Sequence, residues 1–138
     1  MSPSPSATVD PAHIACVDAQ QSLNSYLDHL DNDISDTNEA VKAASSDSAR
    51  LEIYRAAQAT LDADARGFAR IVHPASLDRG FALVATGVKG FASSNRLFVK
   101  ALDDRSNAEY VKATAILTTA NRNMTRGLHL IEGPSACP

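Results

Sequence analysis

The chain has 138 residues, 44% of them hydrophobic, and its 13 basic and 16 acidic side chains give a net charge of −3. This length suits one domain with an apolar core, and the lack of a Lys/Arg run excludes the electrostatic footprint of a nucleic-acid-binding protein. No segment approaches the roughly 20 apolar residues of a membrane span, and the amino end lacks the charged and apolar regions of a signal peptide.

The chain divides into a short tether and one domain. Residues 1–9 are rich in Pro and Ser, which is typical of a flexible, disordered segment, and residues 10–138 form the predicted domain. Asp10 and Pro11 predict the start of a long helix, because Asp caps free backbone N–H groups and Pro fits the first helical position. Poor helix formers between Asp31 and Asp36 allow a break, but the apolar spacing continues through them and favours one helix. Its apolar positions include Cys16, Ala19, Leu23, Tyr26, Leu27, Leu30, Ile34 and Val41.

Two further helices follow with the same apolar spacing. Capping and turn residues at Ser45–Ser48 start the second helix, and Pro74 is expected to end it, because Pro disfavours helical geometry at the preceding residue. Ser76 is placed to cap the third helix. The inward positions of the second helix are Leu51, Tyr54, Gln58, Leu61, Ala65, Phe68 and Val72; those of the third are Leu77, Phe81, Val84, Val88, Phe91, Asn95, Phe98 and Leu102.

A second line of small residues runs along the third helix one heptad apart, at Gly80, Gly87, Ser94 and Ala101. Glycine inside a helix costs roughly 1 kcal/mol relative to alanine, so its repetition needs a reason. Close approach of a neighbouring helix is the favoured interpretation, and an open groove is the alternative.

Ser106 and Glu109 form a capping box that predicts the start of a fourth helix, and Gly133 followed by Pro134 predicts its end. Its inward positions are predicted to be Tyr110, Thr114, Leu117, Asn121, Met124, Leu128 and Ile131. Four long helices joined by short turns predict an all-α, antiparallel up-down-up-down four-helix bundle.

The two cysteines lie at the same end of such a bundle. Cys16 is on the inward face of the first helix, and Cys137 is on the tail after the fourth. A disulfide between them, with the Pro/Ser tether, indicates an oxidising environment, so the protein is expected to be secreted or on the cell surface. Two unrelated reduced thiols are the alternative. A signal peptide or lipid anchor ahead of this sequence stays open as the route to that location.

Histidines from three helices fall at that end as well. His13, His73 and His129 could converge on a metal or haem, but no pair has the i, i+4 spacing that directs two ligands at one ion. A histidine near a helix carboxyl end is already explained by the helix dipole. Capping or surface roles are therefore favoured, and neither a metal site nor a cofactor is predicted.

Polar side chains gather at the middle of the predicted bundle. At a rise of about 1.5 Å per residue, these residues lie roughly 20–28 Å from the cysteine end. They either form a polar layer that fixes helix register or line a small pocket bounded by the small-residue line of the third helix. This candidate ligand-binding set is Tyr26, His29, Gln58, Asn95 and Thr114.

No catalytic signature is present. The acidic stretch from Asp31 fails as a calcium loop, because Asp36 stands where glycine is required and Lys42 where glutamate is required. No Ser/His/Asp or Cys/His set has a local motif, so no catalytic residues and no enzymatic activity are predicted. The leading hypothesis is a non-enzymatic extracytoplasmic binding domain, an adaptor, sensor or surface-exposed module with a protein or small-molecule partner. The alternative is a secreted carrier of a small ligand, haem or metal in the bundle core.

Overall fold

The computed structural model describes residues 10–138, and the predicted tether, residues 1–9, lies outside the described residues. The predicted antiparallel four-helix bundle is confirmed. The helices are α1 (Pro11–Ala43), α2 (Asp47–Ala69), α3 (Asp78–Asp104) and α4 (Asn107–Ile131), with a short 3₁₀ turn at Ala75–Leu77. The prediction that the first helix passes unbroken through its acidic stretch is also confirmed.

Side-chain caps fix the start of most helices. The predicted caps are confirmed for α1, α2 and α4, where a side-chain oxygen accepts a hydrogen bond from a free backbone N–H: Asp10 from Ala12, Ser46 from Ala49 and Ser106 from Glu109. The cap predicted at Ser76 is wrong. Ser76 lies inside the 3₁₀ turn, and α3 starts at Asp78 without a side-chain cap. The 3₁₀ turn leads directly into α3 and replaces the capped start.

The end of α2 also differs from the prediction. α2 ends at Ala69, several residues before Pro74, where the N–H groups of Arg70 and Ile71 bond back to carbonyls of the last turn. The chain then leaves the helix, so Val72 is not an inward position but is 88% exposed. The predicted inward placement of Val72 is therefore wrong, because α2 ends at Ala69 and helical spacing no longer applies at residue 72.

Small residues bring α3 and α4 into close contact. A Cβ atom added to Gly87 would lie 3.0 Å from the Ala120 carbonyl oxygen, and one added to Gly127 would lie 2.7 Å from the Gly80 carbonyl oxygen. Backbone therefore meets backbone across this interface, and larger side chains would force the helices apart. Close packing is confirmed, and the alternative of an open groove is wrong at Gly80 and Gly87.

This close contact sets which face of α4 is buried. The buried residues of α4 are Ala113, Ala120, Met124, Gly127 and Ile131. Tyr110, Thr114 and Asn121, which the sequence placed inward, are exposed. That part of the prediction is wrong, because the buried stripe is made largely of Ala and Gly, whose apolar signal is weak in a sequence.

α1 is fixed to the rest of the bundle mainly at its amino end. The predicted disulfide joins Cys16 to Cys137, with a Cα–Cα distance of 5.6 Å. Beside it, Gln20 donates a hydrogen bond of 2.7 Å to the carbonyl oxygen of Ile131 at the end of α4. None of the helices in the described part of the chain combines the length and apolar character needed to cross a bilayer.

Candidate functional site

Gln58 on α2 and Asn95 on α3 form a hydrogen-bonded pair in the bundle core. The Asn95 Nδ2 donates to Gln58 Oε1 at 2.8 Å and to the Tyr54 carbonyl oxygen at 2.9 Å. The Gln58 Nε2 in turn donates to the Ala92 carbonyl oxygen and to Asp62, both at 3.1 Å. The two amides are therefore hydrogen-bonded to one another and fix the register of the two helices, which is one of the two predicted alternatives.

Asn95 also lines a cleft in the half of the bundle away from the disulfide. The cleft has a volume of about 130 Å³. Its walls combine aromatic and aliphatic side chains with a few polar groups, the usual composition of a small-molecule site. The lining residues come from all the long helices: Ile34, Thr37, Asn38, Tyr54, Leu61, Phe91, Ser94, Asn95, Phe98 and Leu117.

The cleft exists because α1 packs loosely over its second half. The last fully buried residue of α1 is Leu30, and beyond it Ile34 and Thr37 are only half-buried. Leu117, on the facing side of α4, is also half-buried. The contacts that hold α1 to the end of α4 lie at the disulfide, roughly 27 Å along α1 from Ile34 by the helical rise. The space between the helices is therefore left unfilled at this level.

The aromatic wall of the cleft is ordered by stacking. Tyr54 stacks on Phe98 with ring centroids 5.3 Å apart, and Phe98 meets Tyr110 edge-on at 5.5 Å. Burial raises the pKa of Tyr54, and the neighbouring Tyr110 raises it further, so the phenol stays protonated. The ring stack gives a flat, rigid surface against which another ring can pack.

The polar end of the cleft is the Asn95 carboxamide. Its hydrogen bonds within the described residues all use Nδ2, so Oδ1 is left without a protein donor. Asn95 is 5% exposed overall, but its Oδ1 is not one of the fully buried atoms that lack a partner, so this acceptor stays accessible in the cleft. A ligand that displaces water from the cleft would need a donor for this oxygen, since an acceptor that loses its water and gains no donor costs free energy.

The other predicted site residues do not join this cleft. Thr114 is exposed and donates to the carbonyl oxygen of Tyr110 on its own helix, so its inward placement is wrong. Tyr26 and His29 lie on the side of α1 that faces α2, next to Asp64. The five predicted residues therefore separate into the Gln58–Asn95 pair, the group around Asp64, and one surface residue.

The group around Asp64 is polar and partly buried. Tyr26 donates a hydrogen bond of 2.7 Å to the Asp64 carbonyl oxygen. His29 Nε2 lies 3.3 Å from an oxygen of Asp33 and 3.5 Å from one of Asp64. Burial raises the pKa of Asp64 to about 6; the adjacent Asp33 carboxylate adds to this rise, and His29 opposes it. Burial, with the same two carboxylates, also raises the pKa of Tyr26, so its hydroxyl stays protonated and able to donate.

The three histidines at the disulfide end have separate surroundings. His13 Nδ1 lies 3.2 Å from the carbonyl oxygen of Pro138. His73 stacks on Phe81 at 4.0 Å, and its Nε2 lies 3.0 Å from Asp78. His129 is exposed. Within residues 10–138, the side chains that come close enough to share a metal ion are instead His29, Asp33 and Asp64.

Two features of the site were missed in the sequence. His29 and Asp33 have the i, i+4 spacing that places two ligands on one face of a helix. Asp64 falls three residues after Leu61 and four before Phe68, which is the buried face of α2. A carboxylate at such a position is a signal that can be read from the sequence, because a buried charge requires a partner.

No protein-family model matches this chain, and no curated protein or solved structure is significantly similar to it.

Proposed function

We propose that this chain is an extracytoplasmic binding domain whose cleft takes a small, largely apolar molecule of about the size of one aromatic ring, carrying one hydrogen-bond donor. The observation that carries the proposal is the unpaired Asn95 Oδ1 in the wall of an aromatic cleft. The cleft volume of about 130 Å³ limits the size of the ligand. For comparison, an engineered apolar cavity of roughly 150 Å³ accepts benzene.

The chemistry of the walls supports this class of ligand. Phe91 and the stacked Tyr54 and Phe98 offer ring surfaces, and Ile34 and Leu117 close the cleft with aliphatic groups. Desolvating a ring between such groups is favourable at roughly 25 cal/mol per Å² of apolar surface. The Asn95 Oδ1 acceptor then favours a ligand that has an N–H or O–H group over one that has none.

The proposed role is binding and not catalysis. The lining residues include no carboxylate, histidine, lysine or cysteine, and Tyr54 carries the only ionisable group among them. General acid–base and nucleophilic mechanisms both need a group that changes protonation or charge during the reaction. The hydroxyls of Thr37 and Ser94 donate to backbone carbonyls of their own helices and have no basic side chain beside them among the lining residues, so the cleft offers binding without such chemistry.

The extracytoplasmic location rests on the disulfide. Cys16 and Cys137 are bonded, and the described residues include no free cysteine. Disulfides of this structural kind persist in oxidising compartments and are rare in the cytosol. A binding domain outside the cytoplasm would meet its ligand in the periplasm, at the cell surface or in the medium.

Thermal unfolding of the full chain with phenol and with toluene tests the ligand class. The two compounds have nearly the same size, but only phenol has a donor for Asn95. We expect phenol to raise the melting temperature more than toluene. Ile34→Trp, which fills the cleft from the loosely packed half of α1, should abolish the shift, whereas Ile14→Trp, at an exposed position of the same helix, should retain it. Equal shifts in both variants would contradict the proposal.

Binding of a protein partner is the second candidate function. The observation in its favour is that three exposed large hydrophobic residues, Ile14, Val72 and Leu130, belong to segments at the disulfide end. A photo-crosslinking residue at position 72 should then give a discrete crosslinked product in the native host. Position 111, an exposed valine at the other end of the bundle, is the matched control and should give none.

A further inference from the structure

His29, Asp33 and Asp64 form a compact group between α1 and α2. One potential ligand atom from each side chain lies within 4.8 Å of the other two. His29 Nε2 is 3.3 Å from Asp33 Oδ2 and 3.5 Å from Asp64 Oδ1. Ligand atoms bound about 2.0–2.1 Å from a tetrahedral Zn²⁺ lie roughly 3.3–3.4 Å from one another. The two separations from His29 therefore match those around one ion, and the two aspartate oxygens lie within 4.8 Å of one another.

The group has an unbalanced charge in its interior. Asp64 is 5% exposed, and the Asp33 carboxylate beside it has a side-chain exposure of 19%. Within the described residues, the Oδ2 atoms of both aspartates are buried and accept no hydrogen bond. Two adjacent carboxylates without donors are costly to bury and call for a cation or a proton.

His29 does not by itself satisfy these carboxylates. Its ring nitrogen approaches both aspartates, but neither approach is a hydrogen bond, in contrast to His73, whose Nε2 is hydrogen-bonded to Asp78 at 3.0 Å. The His29 side chain is 68% exposed, so an ion pair made by it would be screened by water. Asp64 Oδ2 is therefore buried without a partner beside this group, on a residue that is only 5% exposed.

We propose that His29 Nε2, Asp33 and Asp64 bind a divalent transition-metal ion of the Zn²⁺ class, with a fourth position open towards solvent. One imidazole and two carboxylates are a nitrogen and oxygen donor set that Zn²⁺ accepts in four-coordinate sites. Ca²⁺ and Mg²⁺ prefer six or more oxygen ligands, which this group does not provide. The Tyr26 hydroxyl, bound to the Asp64 carbonyl oxygen at 2.7 Å, holds the α2 backbone beside α1.

The site is separate from the cleft, because none of its three residues is among those that line the cleft. A metal ion at this position would account for a carboxylate on the buried face of α2, where Leu61 and Phe68 are its neighbours along that face. A bound cation would neutralise the charge that Asp64 otherwise places in the interior.

Calorimetric titration of the tag-free, EDTA-treated full chain with ZnCl₂ tests the proposal. We expect one Zn²⁺ per chain and a rise in melting temperature on binding. His29→Ala and Asp64→Asn should each weaken binding by at least the roughly 10- to 100-fold that loss of a second-shell group costs. His129→Ala and Asp36→Asn, which change exposed residues outside the group, are the matched controls and should bind as the parent chain does.

Three outcomes would overturn the metal site. One is the absence of saturable Zn²⁺ binding by the parent chain. Another is equal loss of affinity in His29→Ala and His129→Ala. The third is displacement of Zn²⁺ by a similar concentration of Ca²⁺, because an oxygen-seeking ion would not need the imidazole. Circular dichroism of each variant shows whether it is folded, and His29 is exposed enough for its replacement to leave the core intact.

Discussion

Asn95 donates from Nδ2 to Gln58 Oε1 at 2.8 Å, so a single carboxamide joins α3 to α2 while it also forms part of the wall of the cleft. The sequence suggested two roles for these residues, a register-fixing pair or a pocket lining. In the structure Gln58 has only the first role, whereas Asn95 has the geometry for both. The residue that aligns the helices is also the one with an acceptor left for a ligand.

The coupling of Gln58 and Asn95 can be measured with a double-mutant cycle. Asn95→Leu leaves the Gln58 Oε1 without its donor, which should cost about 1–3 kcal/mol of unfolding free energy. Replacing Gln58 by leucine as well removes the orphaned group, so the double variant should be more stable than Asn95→Leu alone. Urea unfolding followed by circular dichroism gives the values. Strictly additive losses would show that the two amides do not depend on one another.

The close contact of α3 with α4 predicts opposite effects of alanine at two glycines. At Gly127 an added Cβ would lie 2.7 Å from the Gly80 carbonyl oxygen and 2.8 Å from the Val84 nitrogen. Gly127→Ala should therefore destabilise the fold by about 1–2 kcal/mol, although alanine has a better helix propensity than glycine. At Gly67 the nearest atom, on Tyr26, would be 3.9 Å away, so Gly67→Ala should be neutral or stabilising. A more stable Gly127→Ala protein would refute the packing account.

Reduction of the disulfide should destabilise the bundle without unfolding it at room temperature. The bond closes a loop between residues 121 apart. On the chain-entropy model a loop of this length is worth roughly 4–5 kcal/mol, which corresponds to a fall in melting temperature of about 10 °C or more. Calorimetry with and without a phosphine reductant measures the difference. Two titratable thiols in protein made by an oxidising host would count against both the bond and the proposed location.

Asp64 should make the metal-free protein less stable as the pH rises. The folded chain holds this proton up to about pH 6, against an ordinary pKa of 3.8, because of burial and Asp33, partly offset by His29. Between about pH 4 and 6 the folded state binds more protons than the unfolded state. The contribution of Asp64 to the unfolding free energy is therefore largest below pH 4 and is lost as the pH rises towards and past 6. By pH 7 the free energy of unfolding should have fallen by on the order of 1–3 kcal/mol because of this group.

The matching variant is Asp64→Asn, which keeps the shape of the side chain and removes the charge. In EDTA at pH 7 this variant should be more stable than the parent chain, and at pH 4 the difference should largely vanish. Tyr26, whose hydroxyl binds only the backbone of residue 64, keeps its hydrogen bond in both proteins. If the unfolding free energies of the two proteins depended on pH in the same way, burial would not raise the pKa of Asp64.

The sequence was sufficient for the helices and their order, because each helix has a strong local signal. Asp10, Ser46 and Ser106 are capping residues whose role depends only on nearby backbone. The buried face of α4 was not predictable to the same degree. Ala113, Ala120 and Gly127 are buried by the close approach of α3, and that depth of contact depends on glycines in both helices.

The candidate sites depend even more on tertiary structure. Asn95 and Gln58 were recognised because polar residues interrupt apolar faces, but the cleft beside them arises from loose packing of α1 after Leu30, which no local pattern shows. Asp33 and Asp64 come together only through the register of α1 against α2. Local spacing therefore identifies unusual residues, whereas the relative placement of helices decides which of them meet.

Chemical-shift mapping with ¹⁵N-labelled full chain and phenol tests the central claim most directly. We expect saturable shifts at the Asn95 side-chain amide and at the backbone of residues lining the cleft, such as Thr37 and Ser94. Toluene should bind more weakly at the same place, and Ile34→Trp should remove the shifts, because its side chain would occupy the space. Shifts that do not saturate, or that persist in Ile34→Trp, would contradict a ligand site in the cleft.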